Sequence, residues 1–210
     1  LGYDIVKAYG GELTIEMKEE EGNEFFINLT KNRKLFLTIK PKTMYKQHLL
    51  NNIEKEIDIC RRLYTKIPPG KMDFRLKEGL RSISELLQYL GIVGSALPYY
   101  WLKKQGTDFF AFFGEIDKIA KTIPHERFLT VMDAQMATIR DLLNEISEDD
   151  LMNKEIDYPW GGKAPMGEAI IATCIKFLTG YKLQLFSLIK LCDDQKLGTA
   201  DAWFVTDMSL

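Results

Sequence analysis

Histidine is almost missing from this chain: 210 residues carry two, His48 and His125. Three imidazoles from one subunit therefore cannot assemble around a metal ion, and no Ser/His/Asp arrangement can be argued, because neither histidine has a local partner that singles it out. His48 falls near the start of one helical stretch and His125 follows Pro124 at the start of another, both natural surface or capping positions. Cysteine is also sparse. Cys60, Cys174 and Cys192 form an odd, widely spaced set without a CxxC, each at or near an apolar helix position, which reads as buried free thiols in a reducing cytoplasm. A basic excess is missing as well, since 28 Lys and Arg face 30 Asp and Glu for a net charge of -2, which argues against a nucleic-acid binder. No signal peptide is expected, and no apolar run reaches the length of a membrane span. The expected setting is the cytoplasm.

What the chain does have falls into two styles. Up to about residue 34, Asp4–Tyr9 reads as the end of a short helix stopped by Gly10-Gly11. Leu13–Met17 alternates as a half-buried strand, Glu21-Gly22-Asn23 has turn chemistry, and Phe25–Leu29 reads as a second strand. Glu16, Glu19, Glu20, Glu21 and Glu24 precede Lys31, Arg33, Lys34, Lys40 and Lys42, a solvated acidic turn followed by a basic linker. Residues 35–43 read as that linker, with Pro41 in it.

From Met44 to the end the periodicity is helical. Leu49, Ile53, Ile57, Cys60, Tyr64 and Ile67 form one buried stripe, which Pro68-Pro69-Gly70 ends. A loop through Met72, Phe74 and Glu78 leads to Ser82-Ile83-Ser84-Glu85, a capping box for a second helix with Ile83, Leu86, Leu87, Leu90 and Leu97 inward. Gly91, Gly94 and Pro98 on that helix suggest close packing or a kink. Thr107 to Ala120 reads as a short connecting helix capped by Thr107 or Asp108. Pro124 opens a third long helix with Phe128, Met132, Gln135, Ile139, Leu142 and Ile146 at seam spacing. Pro165 begins a fourth, with Ile170, Cys174, Phe177, Tyr181, Leu185, Leu188 and Cys192 inward. No strand signal follows Thr43. The expected fold class is mainly α, an antiparallel four-helix bundle with one long crossover, preceded by a short helix and β-hairpin.

Local signatures add two resemblances. The run YDIVKAYGGELTIEMKEEEGNEFFINL resembles the last piece of a sensor histidine kinase ATP-binding domain, where a helix leads through Gly-Gly into a final hairpin. The magnesium- and ATP-holding motifs of that family have no counterpart here, so residues 1–34 are expected to be a fused fragment without nucleotide affinity; the alternative is a nucleotide-sensing remnant. MDFRLKEGLRSISELLQYLG, PWGGKAPMGEAI and FLTGYKLQLFSLIK resemble, in order, the second-helix entry, the last-helix start and the last-helix continuation of DinB-like proteins, across roughly residues 45–203. That resemblance implies a divalent metal held by one histidine of the second helix and two of the fourth. The matching positions here are Tyr89, Phe177 and Tyr181. Phenylalanine cannot ligate, and a neutral phenol of pKa about 10 is a poor ligand.

No metal, cofactor or catalytic residue is therefore expected. Tyr89, Phe177, Tyr181 and Gln184 remain as a pocket, filled by a Tyr–Tyr or Tyr–Gln hydrogen-bond network or, in the sharper reading, open to a small molecule. Gly161-Gly162-Lys163 lacks the further residues of a phosphate-binding loop and is a turn before a helix. Asp133, Asp141 and Glu148-Asp149-Asp150 read as helix-face and loop charges. The expected function is a non-catalytic small-molecule-binding or interaction module, with a second copy of the chain and an unspecified small molecule as partners, and neither nucleic acid nor membrane. The alternative is a hydrolase or thiol-dependent transferase working with a site unlike that of the metal-bearing relatives.

Overall fold

Capping and glycine chemistry decide where the segments begin and how closely they pack. The computed structural model describes residues 12–18, 22–29 and 33–37 as backbone, and residues 44–192 and 197–204 in full except the Met44 side chain. Contacts divide the chain into Leu1–Met44 and Tyr45–Leu210.

In the first unit β1 (Glu12–Lys18), β2 (Gly22–Leu29) and β3 (Arg33–Leu37) form an antiparallel meander. Leu13 pairs with Ile27 and Lys18 with Gly22, so the expected hairpin is present. Two corrections apply. Gly22 and Asn23, expected in the turn, already pair within β2, and the residues between β1 and β2 lie outside the described residues. The supposed linker contributes a third strand, with Leu35 opposite Ile27 and Leu37 opposite Phe25; its basic residues masked the short apolar run Leu35-Phe36-Leu37. The expected helix at Asp4–Tyr9 lies outside the described residues.

The second unit contains α1 (Met44–Thr65), α2 (Ile83–Lys103), α3 (Phe109–Lys121), α4 (Phe128–Asn144), α5 (Glu148–Asn153), α6 (Met166–Cys192) and α7 (Thr199–Trp203). Ser82 and Glu85 form the capping box: Ser82 Oγ accepts from Glu85 N–H at 3.2 Å and Glu85 Oε2 accepts from Ser82 N–H at 2.7 Å. Asp108, not Thr107, caps α3. Pro124 leads into one 3₁₀ turn, His125–Arg127, before α4 begins. Contrary to the sequence reading, strands do follow Thr43: β4 (Glu155–Asp157) and β5 (Lys163–Pro165) make a small hairpin before α6. Gly161 and Gly162 close it with φ of 98° and 90°, a conformation that glycine adopts without strain.

Side-chain pairs give the helix directions. On α1 and α4, Glu54 meets Arg140 and Arg61 meets Asp133, so these helices are antiparallel. Across α2 and α4, Gly91 faces Val131 and Lys103 meets Glu145, so this pair is parallel. Gly94 faces Leu178 while Tyr89 meets Tyr181, which makes α2 and α6 antiparallel. The order is up–down–down–up. The crossover is α3, which returns along α2 with Tyr100 against Phe109 and Gln88 donating to the Lys121 and Ile123 carbonyls.

Helices α2 and α4 approach each other closely. A Cβ on Gly91 would lie 2.6 Å from Val131 Cγ1, and one on Gly94 would lie 3.0 Å from both Gln135 Oε1 and Leu178 Cδ1. Buried Gln135 uses that space. Its Oε1 accepts from the Gly94 N–H at 2.8 Å and the Ser95 N–H at 3.2 Å, while its Nε2 donates to the Leu90 carbonyl at 3.0 Å. Leu90 C=O and Gly94 N–H are each other's partners in a regular helical turn, so one amide from α4 spans that step. One turn later Pro98 has no N–H to offer the Gly94 carbonyl.

Helix α6 is long and apolar enough to cross a membrane, with mean hydropathy 1.2 over its best window, which corrects the expectation that no segment would be. Its inward residues Leu178, Leu185, Leu188 and Ile189 nevertheless belong to the core shared with the other helices, so core packing accounts for its composition. That face also buries a charge. Lys182 has no exposed surface; its Nζ lies 2.7 Å from Glu56 Oε2 on α1 and 4.7 Å from the centre of the Trp203 ring on α7. The Glu56 contact is an ion pair rather than an aligned hydrogen bond. Asp201 ties α7 down through Arg62 at 2.8 Å and Lys66 at 3.5 Å.

Two stability outcomes follow. Gln135→Leu should lower the unfolding free energy by about 1–3 kcal/mol in urea titrations, because it strips partners from buried backbone groups. A change below about 0.5 kcal/mol would show that the α2 backbone closes the step by itself. Glu56→Gln should cost about 3 kcal/mol by stranding the Lys182 ammonium, and adding Lys182→Met should recover most of that loss. If the double variant is no better than Glu56→Gln alone, the ion pair is not the cause.

Candidate functional site

The facing parts of α2 and α6 carry the residues singled out in the sequence. Leu90 and Gly94, fixed against α4 and α6, set the rotation of α2 and turn the preceding Tyr89 towards Tyr181. The two rings meet edge to face with centroids 4.7 Å apart and planes at 66°. Phe113 of α3 adds an edge contact to Tyr89 at 6.0 Å. Over the Tyr89 face lies the Arg81 guanidinium, 4.0 Å from the ring centre and 5.7 Å from that of Tyr181. Burial first, and then the Tyr181 hydroxyl, push the Tyr89 phenol well above its usual 10.0; Arg81 opposes this and Asp117 adds to it.

The other two residues are placed differently. Phe177 turns to Trp160, at 6.4 Å, and Trp160 in turn stacks on Tyr158 at 5.3 Å and 14°. Gln184 is half-buried and makes no hydrogen bond among the described residues. The anticipated Tyr–Gln network is therefore not formed. The Tyr89 and Tyr181 hydroxyls interact, and the rings pack as an aromatic pair. Just before Phe177, Ile171–Ile175 forms a π-helical turn within α6, with Thr173 Oγ1 donating back to the Ala169 carbonyl at 2.7 Å.

Arg81 was not visible as a site residue. Its signal was the stripe Arg81, Glu85, Tyr89 at i, i+4 and i+8, hidden because Arg81 lies one residue before the cap. Lys182 carried a clearer signal, standing four residues after Leu178 and three before Leu185 on the apolar face.

These positions do not suit a divalent cation. Phe177 has no donor atom and points to Trp160, and the Tyr89 phenol is held in its protonated form. Among the described residues no three His, Cys, Asp or Glu side chains come together as a metal-ligand set. Cys174, one turn before Phe177, is fully buried, and burial pushes its thiol far up; Cys60 is pushed up to about 12 by burial, partly offset by Lys182. All three cysteines are buried. His48 is exposed, and His125 contacts the neighbouring Glu126 at 3.3 Å. Asp133 pairs with Arg61, and Glu148 receives the Lys46 N–H at 3.2 and 3.3 Å as a cap on α1.

Beside Tyr89 a cavity of about 340 Å³ opens between the start of α2 and the end of α3. Arg75, Arg81, Glu85, Asp117 and Lys121 line it together with Tyr89. A mainly α bundle with an aromatic pair at its inter-helix site and a charged cavity alongside is the class that fold and site define.

Comparison with known proteins agrees on the fold. The chain is similar to a crystal structure of a candidate member of the DinB family from Exiguobacterium sibiricum, with a TM-score of 0.56, 21% sequence identity, and coverage of 73% of this chain and 96% of that one. No protein-family model matches the sequence, and no curated protein matches it. The fold is DinB-like.

The raised pKa of Tyr89 has a pH consequence. The folded state favours the neutral phenol, so its contribution is complete below the unfolded value of about 10 and is lost as pH rises from there towards the folded value. Tyr89→Phe should leave stability at pH 7 within about 1 kcal/mol and make the decline above pH 10 shallower. Urea midpoints measured from pH 7 to 11 test this, since Cys60 and Cys174 contribute equally to both proteins; equal slopes would count against Tyr89.

Proposed function

We propose that this protein is a DinB-like bundle that serves as a binding module for a small molecule and does not carry out metal-dependent hydrolysis or transfer. The observation that carries the reading is the Arg81–Tyr89–Tyr181 cluster. At the positions where the family resemblance calls for imidazoles around a cation, this chain has a phenol pair, and its own guanidinium lies over one of the rings. The cavity beside that cluster offers the mixture of aromatic wall and hydrogen-bonding tips that small-molecule sites use. Residues 1–34 enter this reading as a fused fragment without nucleotide affinity.

Elemental analysis of purified protein tests it. The native chain should retain well under one zinc, nickel or manganese per chain after dialysis against a chelator. A variant combining Tyr89→His, Phe177→His and Tyr181→His should gain about one, because two imidazoles at i and i+4 with a third facing them complete a ligand set. A stoichiometric transition metal retained by the native chain would overturn the reading whether or not the triple variant folds.

A further inference from the structure

The charges around the cavity beside Tyr89 are unevenly matched. Arg75 lies 3.5 Å from Glu85 and also donates to the Leu80 carbonyl at 3.2 Å. Lys121 pairs with Asp117 at 2.6 Å. Arg81 has no carboxylate or carbonyl partner among the described residues: its guanidinium lies over the Tyr89 ring and its N–H groups make no hydrogen bond there. Glu85 is near enough for Arg81 to help hold its carboxyl below the usual range, after the larger effect of the Ser82 N–H, but the two do not form an ion pair. The three cations and two carboxylates lining the cavity thus leave one positive charge unmatched.

Resting on the small-molecule reading above, we infer that this cavity binds a monocarboxylate, with Arg81 as the residue that grips the carboxylate. The aromatic contact holds the guanidinium in place before a ligand arrives, which lowers the ordering cost of binding. A planar carboxylate can accept two parallel N–H bonds from such a fork, a match that an ammonium cannot reproduce. Ligand charge is bounded from both sides. A cationic ligand would meet the unmatched positive charge, and a phosphate dianion would place its second charge near Glu85 and Asp117, which are already committed to Arg75 and Lys121. The volume of about 340 Å³ suits a ligand at the small end of the usual range. The Gln88 side-chain oxygen remains as an acceptor for the ligand body, since Gln88 Nε2 is committed to the Lys121 and Ile123 carbonyls.

Thermal-shift titrations of the full chain decide the matter, using benzoate and N-benzoylglycine, their uncharged amides, and inorganic phosphate, each to about 10 mM, because a ligand specific for the folded state must raise its melting temperature. At least one carboxylate should stabilise the native chain while its amide does not. Arg81→Gln should weaken that binding about ten- to a hundredfold, and Arg81→Lys should restore only part of it. Arg81 is exposed, so circular dichroism should be unchanged, and each variant's ligand-induced shift is read against its own ligand-free melting temperature, which loss of the ring contact lowers slightly. Equal carboxylate binding by Arg81→Gln overturns the assignment. So does preferential binding of phosphate, or stabilisation by none of the probes. Binding of the amides alone would refute the carboxylate while leaving the binding-module reading intact; a stoichiometric bound metal would refute that reading separately.

Discussion

The Gln135 amide, set between the Leu90 carbonyl and the Gly94 N–H, fixes the register on which the rest of the bundle depends. A helix packed on two neighbours can slide or rotate unless something other than apolar contact identifies one position, because apolar contact is not directional. Here a polar side chain from α4 reaches one backbone step of α2, in a space that exists because residues 91 and 94 have no Cβ. Leu178 of α6 enters the same space, so a single contact region sets α2 against both neighbours. Tyr89 immediately precedes Leu90, and its approach to Tyr181 is a direct result of that register.

The site solves an electrostatic problem without a metal ligand set. Two phenols and a guanidinium share the space between the ends of α2 and α3 and the face of α6. Ionising the Tyr89 phenol there would be costly because of burial and the adjacent Tyr181 hydroxyl, and the neutral phenol offers its ring face to a cation. The guanidinium thereby gains an aromatic partner without giving up hydrogen-bond donors. Its charge remains available, unlike those of Arg75 and Lys121, which have carboxylate partners.

Much of the bundle was legible because its signals are local. The Ser82–Glu85 box, the Asp108 cap and the stripes through Ile53, Leu86, Met132 and Leu185 depend on spacing within one helix. What was missed depends on neighbours. The one long crossover was legible from the short connecting helix, but that α3 returns along α2, through Tyr100 against Phe109, is a tertiary choice that no helix encodes alone. β4 and β5, at three residues each, are too short to show alternation. Tyr89 and Tyr181 were correctly placed together because one helical face carries each; Phe177 packs against the core as its spacing implied, but its ring contact is with Trp160 and not with the tyrosine pair. Trp160 comes to α6 from the hairpin that precedes it, a neighbour that no spacing within α6 could show.

Helix α6 also connects the site to the far side of the bundle. Tyr181 faces α2, and the next residue, Lys182, is turned by about 100° towards Glu56 of α1 and Trp203 of α7. Any rotation of α6 that widened the aromatic pair would also draw the Lys182 ammonium away from its carboxylate, within a region that offers it no other anion among the described residues. The ion pair therefore resists rotation even where it adds little net stability. Asp201, held by Arg62 and Lys66, keeps Trp203 over the same lysine. The aromatic pair is thus held from two sides, by Gln135 acting on α2 and by the Glu56–Lys182 pair acting on α6, and a ligand entering beside Tyr89 meets walls whose positions are already set.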